Sequence, residues 1–283
     1  MIARSHLYIP GDDSGKLAKA DTRGADALIV DLEDGVAPDR RNEARLILTD
    51  WLNKTDAKAQ IWVRLNGGEM RDKDLYSAVH AKVTGLIQAK CDSPHDLVML
   101  DHLLATLESQ RGIPIRQIKV VPLIESALGI LRAQEIATSP RVVRLQAGET
   151  DLKANMGVTL GADERELLYV RSWMVLVCAA IQIDPPVAPV STNFRDLDAF
   201  RQSTFAFKRL GYFGRSCIHP AQVEIANEVF TPTAEELHVA ADIMERFETA
   251  DGGVSLDSRG EMIDLAVARF AQKILDLHAT IMT

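Results

Sequence analysis

One alternation constrains this chain more than any other feature. Short apolar runs rich in β-branched residues recur along it, and most are followed by a longer segment with helical spacing. That is the βα repeat. Eight runs read as strands, at residues 6–10, 27–31, 60–65, 85–90, 118–124, 142–147, 178–184 and 212–218. Pro38 stands where a helix can begin, and Ala44, Ile47, Leu48, Trp51 and Leu52 make one apolar stripe behind it. Leu97, Leu100, Leu104 and Leu107 make another, with Asp96 placed to cap that helix, and Leu197, Phe200, Thr204 and Phe207 repeat the spacing before the last run. An open doubly wound sheet gives a similar pattern. The strand count and the 283 residues favour a (β/α)8 TIM barrel of about 250 residues with a C-terminal helical extension.

The expected division is a catalytic barrel over 1–230 and a helical extension or lid over 231–283. Thr231 and Pro232 read as the break, and Leu237, Ala240, Met244 and Phe247 stripe a further helix. Residues 251–260, with three glycines, predict a mobile loop before a last helix from about Ile263.

With 47% hydrophobic and 25% charged residues the chain can bury a large core, and its net charge of -8 argues against nucleic acid as a partner. Cys91, Cys178 and Cys217 are odd in number and far apart, so neither a disulfide framework nor a CxxC metal site is expected. They read as small buried hydrophobes in a protein of the reducing cytoplasm. The amino terminus lacks the pattern of a leader, and no run reaches the roughly 18 apolar residues that span a bilayer, so no membrane partner is expected.

Polar residues gather where the apolar runs end, which on a barrel is the face that carries active sites. Asp31, Glu33 and Asp34 follow the second run, Arg64 and Asn66 end the third, Lys90 and Asp92 the fourth, Glu125 and Ser126 the fifth, and Gly148, Glu149 and Asp151 the sixth. Carboxylates without clustered cysteine or histidine suit a hard cation such as Mg²⁺, which takes one or two protein carboxylates and keeps water and substrate as its other ligands. Each acid could equally cap the helix that follows it.

At these residues the chain resembles the citrate lyase β-subunit-like proteins of the HpcH/HpaI aldolase superfamily. The resemblance runs through Arg4-Ser5-His6-Leu7-Tyr8-Ile9-Pro10-Gly11, Gly24-Ala25-Asp26-Ala27-Leu28-Ile29-Val30-Asp31-Leu32-Glu33-Asp34, Val63-Arg64-Leu65-Asn66 and Pro122-Leu123-Ile124-Glu125-Ser126. Gly211-Tyr212-Phe213-Gly214-Arg215-Ser216-Cys217-Ile218-His219-Pro220-Ala221-Gln222-Val223 and Met262-Ile263-Asp264 complete it. It implies a Mg²⁺-dependent carbon–carbon lyase acting on a 3-hydroxyacyl-CoA-type thioester such as malyl-, citramalyl- or citryl-CoA. Glu125 and Asp151 would be the metal ligands, with Glu33 and Asp34 behind them holding water on the metal. Arg64 would meet the substrate oxygen that gains charge, with Lys90, Gly148 and Glu149 expected beside it on the substrate side. Asp264 would be the acid or base at the acetyl carbon, delivered by a neighbouring subunit of a trimer or hexamer. The alternatives are an aldolase for free hydroxy-oxo acids and a β subunit working on a carrier-bound acyl group. The chain departs from the family pattern around Leu145-Gln146-Ala147-Gly148 and after Asp151, which bears on substrate shape more than on the metal.

His219 reads as a turn-holding imidazole more readily than as a base. Arg4, Lys16 and Arg45 are cations that could reach CoA phosphates, although surface cations are usually only solvated.

Overall fold

The computed structural model describes residues 2–250, 253–257 and 259–282. Seven of the eight runs form strands: β1 (Ser5–Pro10), β2 (Ala27–Asp31), β3 (Gln60–Leu65), β4 (Val83–Gln88), β5 (Lys119–Ile124), β6 (Gln146–Ala147) and β7 (Arg215–Cys217). They make one curled parallel sheet in the order β6-β5-β4-β3-β2-β1-β7, a TIM-barrel-like α/β fold. Parallel neighbours need crossover connections. Here these carry α1 (Ser14–Ala18), α2 (Arg41–Lys54), α3 (Glu69–Ala78), α4 (Pro94–Gln110), α5 (Ala127–Leu131), α6 (Ala133–Ala137), α7 (Glu149–Met156), α8 (Leu168–Ile181) and α9 (Leu197–Leu210), with α10 (Pro220–Phe230) after β7. Helix α4 is capped by Ser93, whose hydroxyl accepts from His95 N–H, with Pro94 at its first position; Asp96 lies inside the first turn instead.

The run at 178–184 is not a strand. Val170, Met174, Val177 and Cys178 form one buried face of α8, a stripe that begins eight residues before the β-branched segment suggests. The helix ends at Gln182 in the left-handed region, φ 62°, with Gln182 N–H on the Ala179 carbonyl and Ile183 N–H on that of Cys178. That is a Schellman ending. After Pro185 and Pro186, single residues pair with both sheet edges: Val187 bridges Gln146 and Ala188 bridges Arg215. Prolines on either side confine this pairing to two residues, because a proline has no N–H to give to a ladder.

Strand side chains alternate faces. Ala27 and Ile29, Trp62, Ile87 and Ala89, and Val121 and Leu123 pack together as one apolar cluster with Tyr8 against it. Continuing the same parity to the strand ends places Asp31, Arg64 and Glu125 on that face. Gly85 makes room for the Trp62 ring: a Cβ there would strike the indole and lie 2.8 Å from the Lys119 carbonyl oxygen.

The chain divides into two compact units, Ala3–Asn227 and one that begins at Glu228. In the second, α11 (Ala234–Thr249) starts with a capping box from Thr233 and Glu236, and packs along α12 (Leu265–Met282). Ser255–Leu256 pairs antiparallel with Met262–Ile263, so part of the expected 251–260 loop is a small hairpin; Asp251, Gly252 and Ser258 lie outside the described residues. No helix is long and apolar enough to cross a membrane among the described residues. Cys91, Cys178 and Cys217 are free and buried, and burial pushes their thiols up to about 12, 11 and 12.

Candidate active site

Arg64 ends the inward-facing column of β3, where an unpaired guanidinium would be costly. Asp31, at the end of β2 and paired with Arg64 in register, supplies a two-point partner: Nε and Nη2 reach its two oxygens at 2.7 and 2.5 Å. Gly35 and Glu33 N–H groups donate to the same carboxylate, fixing it from the other side. Arg64 Nη1 lies 3.0 Å from Glu33, and its plane rests over the Tyr8 ring at 5.2 Å. Burial works against the charge on Arg64, but the Asp31 hydrogen bonds and charge outweigh it and hold the group above its ordinary value.

The acids lie beside this arginine. Glu33 is 1% exposed and faces two cations, Arg64 and the Lys90 ammonium at 2.7 Å, though neither of its oxygens is aligned for a hydrogen bond to them. Lys90 has a left-handed backbone, φ 53°, which turns its N–H onto Glu125 Oε2 while its side chain reaches Glu33. Its ammonium is raised by the close approach of the Glu33 carboxylate, against some burial. Asp34 is half exposed on the rim.

Glu125 is 7% exposed, and its carboxyl is pushed up to about 7, first by burial, then by the charge of Glu33 and, less strongly, of Asp151. The Lys90 N–H offsets only part of this. A Cβ on Gly148 would lie 2.5 Å from Glu125 Cγ, so only glycine leaves the carboxylate its place.

Glu125 and Asp151 line two adjoining cavities. The larger, about 410 Å³, is bounded by Tyr8, Asp31, Asp34, Arg64, Gln146, Gly148 and Glu149 among others, and the second, about 330 Å³, by Lys90, Asp92, Ser126 and Asn155. The larger has the size of an ordinary small-molecule site. Two like charges crowded into a half-buried place are what a divalent cation relieves, and Mg²⁺ needs no more than such a pair from the protein. The residues fit the ion. No cluster of three or more histidines, cysteines or acids is gathered for a metal among the described residues.

Most expected rim residues are thus brought together, and some already have partners. Glu149 borders the cavity but is held by Arg171 through bonds of 2.7 and 2.6 Å. Arg45 is buried against Asp74 and cannot reach a surface phosphate; Arg4 pairs with Asp26, and Lys16 with Asp13. His219 accepts from Ala221 N–H and stacks on Phe194, as a turn-holding residue does. Asp264 Oδ1 accepts from Ala266 and Val267 N–H in the first turn of α12. Tyr8 and Gln146 were not among the sequence candidates, and neither was Asp31 as the anchor of Arg64. The inner-face parity with Ile29 and Leu123 is the signal that could have found them.

The family model described as HpcH/HpaI aldolase/citrate lyase matches residues 4–220. The chain is 29% identical to citrate lyase subunit beta of Leuconostoc mesenteroides subsp. cremoris, covering 98% of this chain and 93% of that one. It is 34% identical to a (3S)-malyl-CoA thioesterase of Cereibacter sphaeroides, with 88% and 84% covered. Among solved structures it is similar to the CitE protein of Mycobacterium tuberculosis in complex with magnesium, acetoacetate and coenzyme A, at a TM-score of 0.80, 26% identity and 97% coverage of both chains.

Proposed function

Because the chain belongs to the HpcH/HpaI aldolase/citrate lyase family, a family of lyases, we propose that it is a Mg²⁺-dependent carbon–carbon lyase on an eight-stave barrel closed by Val187 and Ala188. Its substrate is a 3-hydroxyacyl-CoA-type thioester such as malyl-, citramalyl- or citryl-CoA, and its products are acetyl-CoA and a 2-oxo acid. The observation that carries the reading is the pairing of Glu125 and Asp151 beside a guanidinium fixed by Asp31.

Glu125 and Asp151 hold the ion. Bound there, Mg²⁺ supplies Lewis-acid stabilisation of negative charge on the substrate's oxygens. Cleavage removes the proton of the 3-hydroxyl, breaks the bond between C2 and C3, and leaves the electron pair on the acetyl carbon, which then takes up a proton. Arg64 donates to an oxygen whose charge grows as the bond breaks. Because Asp31 and Glu33 have already oriented the guanidinium, little reorganisation is left for the transition state. Glu33 and Asp34 orient water at the rim, and the Lys90 ammonium holds Glu33 in place. The resemblance adds Asp264, from a neighbouring chain of a trimer or hexamer, as the proton donor at the acetyl carbon. Its Oδ1 caps α12, while Oδ2 accepts no hydrogen bond among the described residues. Mixed oligomers of Glu125→Gln and Asp264→Asn chains should regain activity; mixed oligomers that stay dead would remove the inter-chain role.

The decisive experiment gives the purified chain Mg²⁺ and a panel of hydroxyacyl-CoA thioesters, then separates acetyl-CoA from free CoA thiol. Acetyl-CoA with a 2-oxo acid is the expected outcome. The 34% identity to a thioesterase favours one second reading, hydrolysis, which would release free thiol with the hydroxy acid intact. Silence with every free thioester but turnover of a carrier-bound one would make the chain a complex subunit.

A further inference from the structure

Beneath the metal-binding carboxylates the larger cavity has a polar floor that the proposed chemistry does not use. Gln146 is paired with Leu123 across β5 and β6, which places it one inner-face step, about 7 Å, below Glu125. It is 3% exposed, and its Nε2 donates to Ser216 Oγ at 2.9 Å and Tyr8 Oη at 3.3 Å. Its Oε1 accepts no hydrogen bond among the described residues, although the side chain lines the cavity. Tyr8 lines it too, at the same depth. Since its oxygen accepts from Gln146, its own proton remains available to a ligand. An apolar floor would serve a methyl group better, because a buried acceptor without a donor costs free energy.

We infer that the Gln146 and Tyr8 pair selects a substrate whose 2-oxo acid half carries a hydroxyl group on the carbon next to the carbonyl, in preference to a bare methyl. Such a hydroxyl donates to Gln146 Oε1 and accepts from Tyr8 Oη, completing both. Arg64, which lies over the Tyr8 ring, already faces the two acids Asp31 and Glu33. This assignment rests on the lyase reading for its reaction but not for its binding.

The test uses acetyl-CoA with pyruvate or its 3-hydroxy analogue as condensation partners, and calorimetric titration of each oxo acid in the presence of Mg²⁺. Wild type should prefer the hydroxylated acid by about tenfold or more in both kcat/KM and Kd. Gln146→Met should move that ratio at least about tenfold toward pyruvate, and Tyr8→Phe should move it the same way by less. If Gln146→Met does not fold, as read by circular dichroism, Tyr8→Phe decides. An unchanged ratio in the folded variants, or a wild-type preference for pyruvate, overturns the inference while leaving the lyase reading intact. A shifted Kd ratio without condensation would sink the lyase reading and keep the floor.

Discussion

The two ends of β5 carry the same residue types and treat them in opposite ways. At the amino end, Arg141 is fully enclosed and bonds both Glu108 oxygens at 2.9 and 2.8 Å and Asp101 at 2.5 Å, while Ile118 and Arg116 N–H groups complete Glu108. Burial works against the charge of Glu108 and Asp101, but the Arg141 hydrogen bonds outweigh it and both carboxyls lie below their ordinary range. At the carboxyl end, six residues on, Glu125 has one backbone donor and like-charged neighbours, and its carboxyl lies near 7. The amino end has spent its hydrogen-bonding capacity inside the protein. The carboxyl end leaves Glu125 with fewer partners, and perturbed groups of this kind cluster at functional sites.

The largest effect should come from Glu125→Gln. Losing several kcal/mol of charge stabilisation corresponds to about 10³-fold or more in turnover, with the heat of Mg²⁺ binding lost as well. Wild-type turnover in this variant would reduce the carboxyl end to another structural cluster. Glu108→Gln should do the reverse, lowering stability by about 3 kcal/mol because it weakens a buried pair, while turnover per folded molecule stays unchanged. Chemical denaturation and a specific-activity assay together read both. Next in size, Arg64→Lys should lower kcat by about 10²-fold, since an ammonium cannot keep two-point contact with Asp31 while presenting a donor to substrate. An effect confined to KM would remove Arg64 from the transition state.

The smallest effect is on pH, and there the two ends should oppose each other. A carboxyl raised on folding binds its proton more tightly in the native state, so the metal-free protein should lose stability as pH rises from about 5 to about 8, by on the order of 2 kcal/mol. Mg²⁺ affinity should climb over the same window, because the ligand must be ionised. Glu108 and Asp101, being lowered, contribute stability above their unfolded values and lose it as pH falls through the folded ones. Metal-free protein should therefore be most stable near pH 5. A flat Tm between pH 5 and 8 would contradict the assignment of Glu125.

Much of this was legible from the chain itself, for physical reasons. Strands β1 to β5 are buried on both faces, so each shows as a continuous apolar run with turn residues around it. Val187 and Ala188 could not show this way, because two residues between prolines carry no periodicity. The segment from Cys178 looked extended because its local composition outvoted a helical stripe that starts at Val170. Glu33, Arg64, Glu125 and Asp151 stood out as polar residues ending apolar runs. Asp31 was hidden in the same motif as its neighbours, and its bond to Arg64 joins residues 33 positions apart. Gln146 and Tyr8 were hidden differently: they are polar residues within strands, where a sequence shows parity but not what lies across the barrel.

Gly148 has a consequence for what the site can become. The space a methyl group would take there is already filled by the side chain of Glu125. Position 148 is therefore locked by Glu125 and cannot drift alone. A saturation library at 148 should yield no active substitution, while the exposed neighbour Thr150 accepts many. The way past this block is a simultaneous change in which Glu125→Asp withdraws the carboxylate by one carbon as Gly148→Ala fills the gap. Any mutational route to a new activity on this scaffold would have to go around that pair or change both at once.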